Sequence, residues 1–216
     1  MSVLASSSQD RWLDLNEVLR DLVTQEYIDQ DNAEYALTLR RTAQNLQIHP
    51  LEFISAQQFD NLKRPGKKLD LETLTAWLAE QAGQPYMRID PLKINVAAVT
   101  PVMSYAFAQR HKILAVAVDR DAVTIASAQP FVKAWEADLT HVLKMPIKRV
   151  VANPVDVQKL AVEFYRLAKS VSGASATDQK MSNLGNFEQL LKLGASDQEP
   201  DANDAHIVNI VDWLFQ

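Results

Sequence analysis

Between Asp10 and Gly83 apolar residues recur every three or four positions, the spacing of helices that each bury one stripe. In "DRWLDLNEVLRDLVTQ" the stripe is Trp12, Leu15, Leu19 and Leu22, widened by Val18 and Val23. "QDNAEYALTLRRTAQN" predicts a second helix, capped by Asp29 or Asp31, with Ala33, Ala36, Leu37 and Arg40 on one side. Pro50 suits the first turn of a third helix over "HPLEFISAQQF", because its missing N–H would have no partner there. "KRPGKKLD" is read as its end, since Pro65 and Gly66 both punctuate. A fourth helix, "LETLTAWLAEQAG", runs through Leu71, Leu74, Trp77 and Leu78 to Gly83, which can adopt the left-handed conformation that closes a helix. Residues 10–83 thus predict a small helical bundle, preceded by a polar, disordered stretch at 1–9.

After Gly83 the period changes. "PYMRI" is a short strand candidate, and "INVAAVTPVMSYAFAQR" reads as a connector and helix interrupted near Pro101. Ile113 to Val118 and Ala122 to Ala126 are two apolar runs joined by a polar turn at Asp119, Arg120 and Asp121, the pattern of a hairpin. Trp135, Leu139, Val142 and Leu143 then recur at helical spacing, "PIKRVVANP" predicts a strand, and "VDVQKLAVEFYRLAKSV" a closing helix. The fold class is therefore α+β: the helical subdomain, then a compact subdomain at 84–170 with helices over an antiparallel or mixed sheet. Residues 171–203 read as a flexible acidic linker. "DANDAHIVNIVDWLFQ" ends the chain with Asn203 or Asp204 as cap and Ile207, Val208, Val211, Leu214 and Phe215 at helical spacing. Residues 204–216 are accordingly expected to be the first helix of a truncated following domain.

Composition narrows the function. The chain has 216 residues with 22 Lys+Arg against 27 Asp+Glu and a net charge of −5, so it offers no global attraction to nucleic acid. No apolar run is long enough to span a bilayer, and the N-terminus lacks the basic and apolar regions of a secretory signal, pointing to the cytoplasm. The absence of cysteine agrees and excludes thiol catalysis and disulfides.

Catalytic signatures are missing. The glycines at 66, 83, 173, 185 and 194 form neither a phosphate loop nor a dinucleotide fingerprint, and no nucleophile elbow is present. His49, His111, His141 and His206 are too far apart for two imidazoles to share a helix face, so no metal is expected. Asp119 and Asp121 read as turn residues, and "KRPGKK" as a solvated loop that could steer an acidic partner. Trp77 and Trp135 read as core. Trp12, near the terminus, is expected to offer a face to another protein together with Leu15, Leu19 and Leu22.

"HPLEFI", "LETLTAWLAEQAGQPYMRIDPLKI", "YAFAQRHKILAVAVDRDAVTIASAQPF" and "VVANPVDVQKLAVEFYRLAKSV" resemble, as a series, the N-terminal region of the type II secretion and type IV pilus assembly ATPases, the GspE and PilB family. The resemblance covers roughly residues 10–170, and the closing segment is similar to the start of that family's second N-terminal domain. It implies a hexameric cytoplasmic ATPase using ATP and magnesium, of which this chain carries neither Walker A nor Walker B and so no catalysis and no cofactor. What carries over is the front module: docking the motor to the cytoplasmic domain of an inner-membrane platform protein. The chain itself would be peripheral to that membrane, without insertion, and monomeric or weakly self-associating.

Some members of the family sense cyclic di-GMP through two similar helical motifs, R-L-G-x-x-L-L-x-x-G followed by Q-L-x-x-A-L. Laid on "EVLRDLVTQEYIDQDNAEYAL", the motif puts Glu17 at its arginine, Leu19 and Glu26 at its glycines, and Asn32 at its glutamine. Leu22, Val23, Ile28, Ala36 and Leu37 keep its apolar skeleton. The fold is supported and the ligand chemistry is not, because a carboxylate facing a dianion repels it. Messenger sensing with a degenerate motif is therefore the second reading, and ATP hydrolysis by the chain itself, which needs a phosphate site, the third.

Overall fold

A computed structural model of the chain describes residues 10–39 and 48–171. Among the described residues four helices come first: α1 (Leu15–Thr24), α2 (Gln30–Leu39), α3 (Pro50–Ala56) and α4 (Leu71–Ala82). Their ends follow from local chemistry. Asp14 accepts from the amides of Asn16 and Glu17, Asp29 from that of Asn32, and Asp70 from that of Thr73. Gly83 closes α4 at φ 61°. The buried stripes of these helices meet in one core, built on Leu15, Leu19, Leu22, Ile54, Leu74 and Trp77. Trp77 is satisfied within it, its Nε1 donating to Gln25 Oε1 at 2.9 Å.

The second half carries the sheet. A helix α5 (Val96–Val99) passes through a turn of 3₁₀ helix (Thr100–Val102) into α6 (Tyr105–His111), the break falling at Pro101. Strands β1 (Ile113–Val118) and β2 (Val123–Ser127) pair antiparallel, with a register shift between Ala115 and Ala117. Helix α7 (Ala134–Leu143) crosses over, β3 (Ile147–Val151) pairs parallel to β2, and α8 closes the unit over residues 154–171. The sheet is mixed, in the order β1-β2-β3, and the fold is α+β. Trp135, at 1% exposure, anchors the core beneath it.

Several expectations are corrected. "PYMRI" is not a strand: only Tyr86 bridges, in parallel with Val151 at the end of β3. The third helix ends at Ala56, well before Pro65, because Gln58 turns left-handed at φ 55° and the chain leaves for a separate loop. Trp12 precedes α1 rather than riding on it, since the cap is Asp14. Val142 faces water at 72% exposure despite its helical spacing. Arg40, the stretch at 1–9, the linker read at 171–203 beyond its first residue, and the closing segment at 204–216 lie outside the described residues.

The helical and sheet halves form one compact unit. Val151 ends β3 inside the helical core at 0% exposure. Around it Asn153 Nδ2 donates to Glu72 Oε1 at 2.8 Å, Tyr86 donates to the other oxygen of Glu72, and Gln84 Nε2 donates to Pro130 O at 3.2 Å. Arg149 Nη2 donates to the carbonyls of Pro130 and Val132 at 2.6 and 3.0 Å, fixing the loop after β2.

Candidate functional site

The segment before α1 is tied to the sheet half at each end. Asp10 Oδ1 accepts from the amides of Lys133 and Ala134 at 2.7 and 3.0 Å, serving the open start of α7. The Arg11 guanidinium lies 4.6 Å over the Phe131 ring and pairs with Glu17 at 3.0 Å. Leu13 donates its amide to Gln129 Oε1 at 2.9 Å. Trp12, held between these anchors, stays 50% exposed. Its side chain helps line a cleft of about 410 Å³ with His49, Lys112, Gln129 and Gln158.

His49 builds the far wall. Its Nδ1 accepts from Leu51 N at 3.3 Å, and its Nε2 lies 3.0 Å from Ala128 O, a contact made with the Nε2–H tautomer. Both ring nitrogens are therefore engaged within the fold. Lys112 closes α6 in the left-handed conformation, φ 53°. Next to it, burial and the neighbouring Arg110 pull the His111 pKa below its usual value. The cleft thus offers an aromatic face, an ammonium and amide groups, with no nucleophile–base pair. That equipment can bind a side chain or a planar group. Among the described residues no cluster of three or more His, Asp or Glu could hold a metal ion.

Of the four residues expected to form a partner face, only Trp12 is exposed. Leu15, Leu19 and Leu22 are at 2%, 1% and 0% exposure in the helical core, so no apolar patch is left on that stripe. The first messenger motif maps onto α1, the turn and α2. Glu17, at the arginine position, is engaged by Arg11, and Leu19 fills the core. Glu26, at the second glycine position, keeps a glycine-like φ of 59°.

The structure also shows a second turn of the same kind, which the sequence reading did not mark. His49 and Gln58 are separated as Glu17 and Glu26 are, and Gln58 repeats the left-handed turn at φ 55°. Glu26 N donates to Val23 O at 3.0 Å and Gln58 N to Ser55 O at 3.1 Å, so both turns close alike. Leu51, Ile54 and Ser55 stand where Leu19, Leu22 and Val23 stand in the first segment. That spacing was the available signal. Both segments share the left-handed turn, and neither carries the motif's arginine or glycines.

Residues 82–171 match the profile of the MshEN domain. These residues are an MshEN domain. The chain is homologous to the N-terminal region of a type IV pilus assembly ATPase, TfpB of Acinetobacter baylyi, with 37% identity over 206 residues. That match takes in 94% of this chain and 35% of the relative, so the chain spans about a third of the relative's length. Two solved structures are similar to parts of the chain. One is MshE with cdg, at TM-score 0.43 and 17% identity, covering 71% of this chain and 99% of that one. The other is the N-terminal domain of XpsE, at TM-score 0.40 and 11% identity, covering 70% and 96%. Among the described residues no helix is long and apolar enough to cross a membrane.

Proposed function

We propose that this chain is the front docking module of a type IV pilus or type II secretion assembly ATPase, tethering the motor to the cytoplasmic domain of an inner-membrane platform protein. The observation that carries the reading is the 37% identity over 206 residues to a type IV pilus assembly ATPase. The Trp12 cleft supports it, because an exposed indole at the mouth of a polar-lined cleft suits a protein anchor. Hydrolysis would belong to a part of the motor that this chain does not contain, and the chain by itself would be monomeric or weakly self-associating. Titration calorimetry of the chain against the soluble domain of the platform protein tests this. Saturable binding that weakens about tenfold in Trp12→Ala supports the reading, since central aromatic anchors contribute more than 1 kcal/mol in such interfaces. Absence of binding at the highest concentrations reached would refute it.

A second reading, cyclic di-GMP sensing, is favoured by one observation: Glu26 and Gln58 both take the left-handed conformation that the motif's glycine adopts freely. Against it stand the carboxylates of Glu17 and Glu26 and the engagement of His49 within the fold. Calorimetry with cyclic di-GMP decides it, and no heat is expected.

A further inference from the structure

Between α3 and α4 the chain forms a finger. Residues 62–68 are exposed in unbroken succession between Asn61 and Leu69, which are buried at 2% and 0% exposure. The finger is held in shape. Leu69 N donates to Phe59 O and Asn61 N to Lys67 O, each at 2.8 Å, while Arg64 N donates to Asn61 O and Lys67 N to Arg64 O at 3.0 Å. Asn61 Oδ1 accepts from Lys63 N at 3.0 Å, and Gly66 makes the tip at φ 80°.

Its side chains are a concentrated cation. Lys63, Arg64, Lys67 and Lys68 fall within six residues of a chain whose net charge is −5. Asp60 neutralises Lys68 at 2.7 Å. Lys63 rests 4.3 Å over the Tyr27 ring, a contact that positions the ammonium without cancelling its charge. Arg64 and Lys67 have no side-chain hydrogen bond or ion pair among the described residues. Beside them Leu62 is 48% exposed, with its amide tied to Tyr27 O at 3.1 Å. Three uncancelled cations held close together repel one another, and that repulsion is relieved when an anionic surface lies opposite.

We propose that this finger contacts anionic lipid headgroups at a membrane surface. The shape decides for a lipid surface over an acidic peptide. A peptide is gripped in a groove, whereas residues 62–68 project outward and line neither the Trp12 cleft nor the cavity beside it at Ile113 and Val162. The composition agrees: lysine-rich cations beside one exposed leucine suit a diffuse layer of headgroups, with the apolar side chain entering its boundary. The inference deepens the docking reading by adding a lipid contact to the protein one.

The test is co-sedimentation of the chain with vesicles of phosphatidylcholine alone and of phosphatidylcholine containing about one third phosphatidylglycerol. Binding to the anionic vesicles is expected to exceed that to neutral ones by about tenfold or more at low salt, and to vanish in molar salt. Arg64→Glu with Lys67→Glu should abolish the preference, and Leu62→Ser should weaken it a few fold; all three sites are exposed and neither Arg64 nor Lys67 makes a side-chain hydrogen bond or ion pair among the described residues, so melting temperatures should stay unchanged. Equal partition onto the two vesicle types, or a preference that survives the double substitution, overturns the proposal. So does capture by immobilised polyglutamate without capture by vesicles, which would assign the finger to an acidic protein. Platform binding measured in lipid-free buffer fails or succeeds independently of these results.

Discussion

Trp12 and Leu19 occupy the same helical stripe on paper and have opposite surroundings in the fold. Leu19 is at 1% exposure among the helical core residues, so Leu19→Ala should cost about 2–5 kcal/mol in denaturant unfolding. Trp12→Ala, at a half-exposed site, should cost less than about 1 kcal/mol while impairing platform binding. If the two variants lose equal stability, Trp12 is structural and its anchor role fails. His111 provides a second residue-scale test. Burial and Arg110 lower its pKa in the folded state, so as pH falls through the usual imidazole value the unfolded chain takes up a proton that the folded chain resists. Stability contributed by this site therefore falls with acidification below that value. His111→Gln should flatten the stability profile between neutral and mildly acidic pH, as read by urea unfolding at a series of pH values.

At the scale of elements, the two left-handed turns are the features that local pattern described least well. Glu26 at φ 59° and Gln58 at φ 55° adopt a conformation that side chains with a Cβ disfavour by about 1–2 kcal/mol. Glycine would remove that cost and add some unfolded-state entropy, so Glu26→Gly should stabilise the protein by up to about 1 kcal/mol. A lower midpoint in urea would show that the Glu26 side chain contributes to the fold. The starts at Pro50 and Leu71 were legible because His49 and Asp70 act on amides within three residues of themselves, whereas periodicity starts the first helix at Asp10, ahead of its Asp14 cap. The hairpin was legible for the same reason, its turn being closed by Asp119 N and Ala122 O at 2.9 Å. The single bridge of Tyr86 was not, because its partner, Val151, lies far along the chain.

Across the whole molecule, Val151 and the Glu72 carboxylate join the helical half to the sheet half. Glu72→Ala leaves Asn153 and Tyr86 without their shared acceptor and should cost about 1–3 kcal/mol. Because β3 ends inside the helical core, tryptophan fluorescence and circular dichroism should report one coincident unfolding transition. Separated transitions would mean that the halves fold independently.

The sequence by itself determined the existence of the helices, the hairpin, the α+β class and the kinship with pilus and secretion ATPases, since each of these depends on neighbours in the chain or on ordered motifs. Tertiary structure alone decided that Leu15, Leu19 and Leu22 are core and Trp12 is surface, that β2 and β3 run parallel, and that a cleft lies beside Trp12. The physical reason is distance along the chain. Leu13 is held by Gln129, 116 residues away, and His49 by Ala128, 79 residues away. Periodicity marks which face of a helix is apolar, whereas the contacts that cover part of that face come from residues no local window contains.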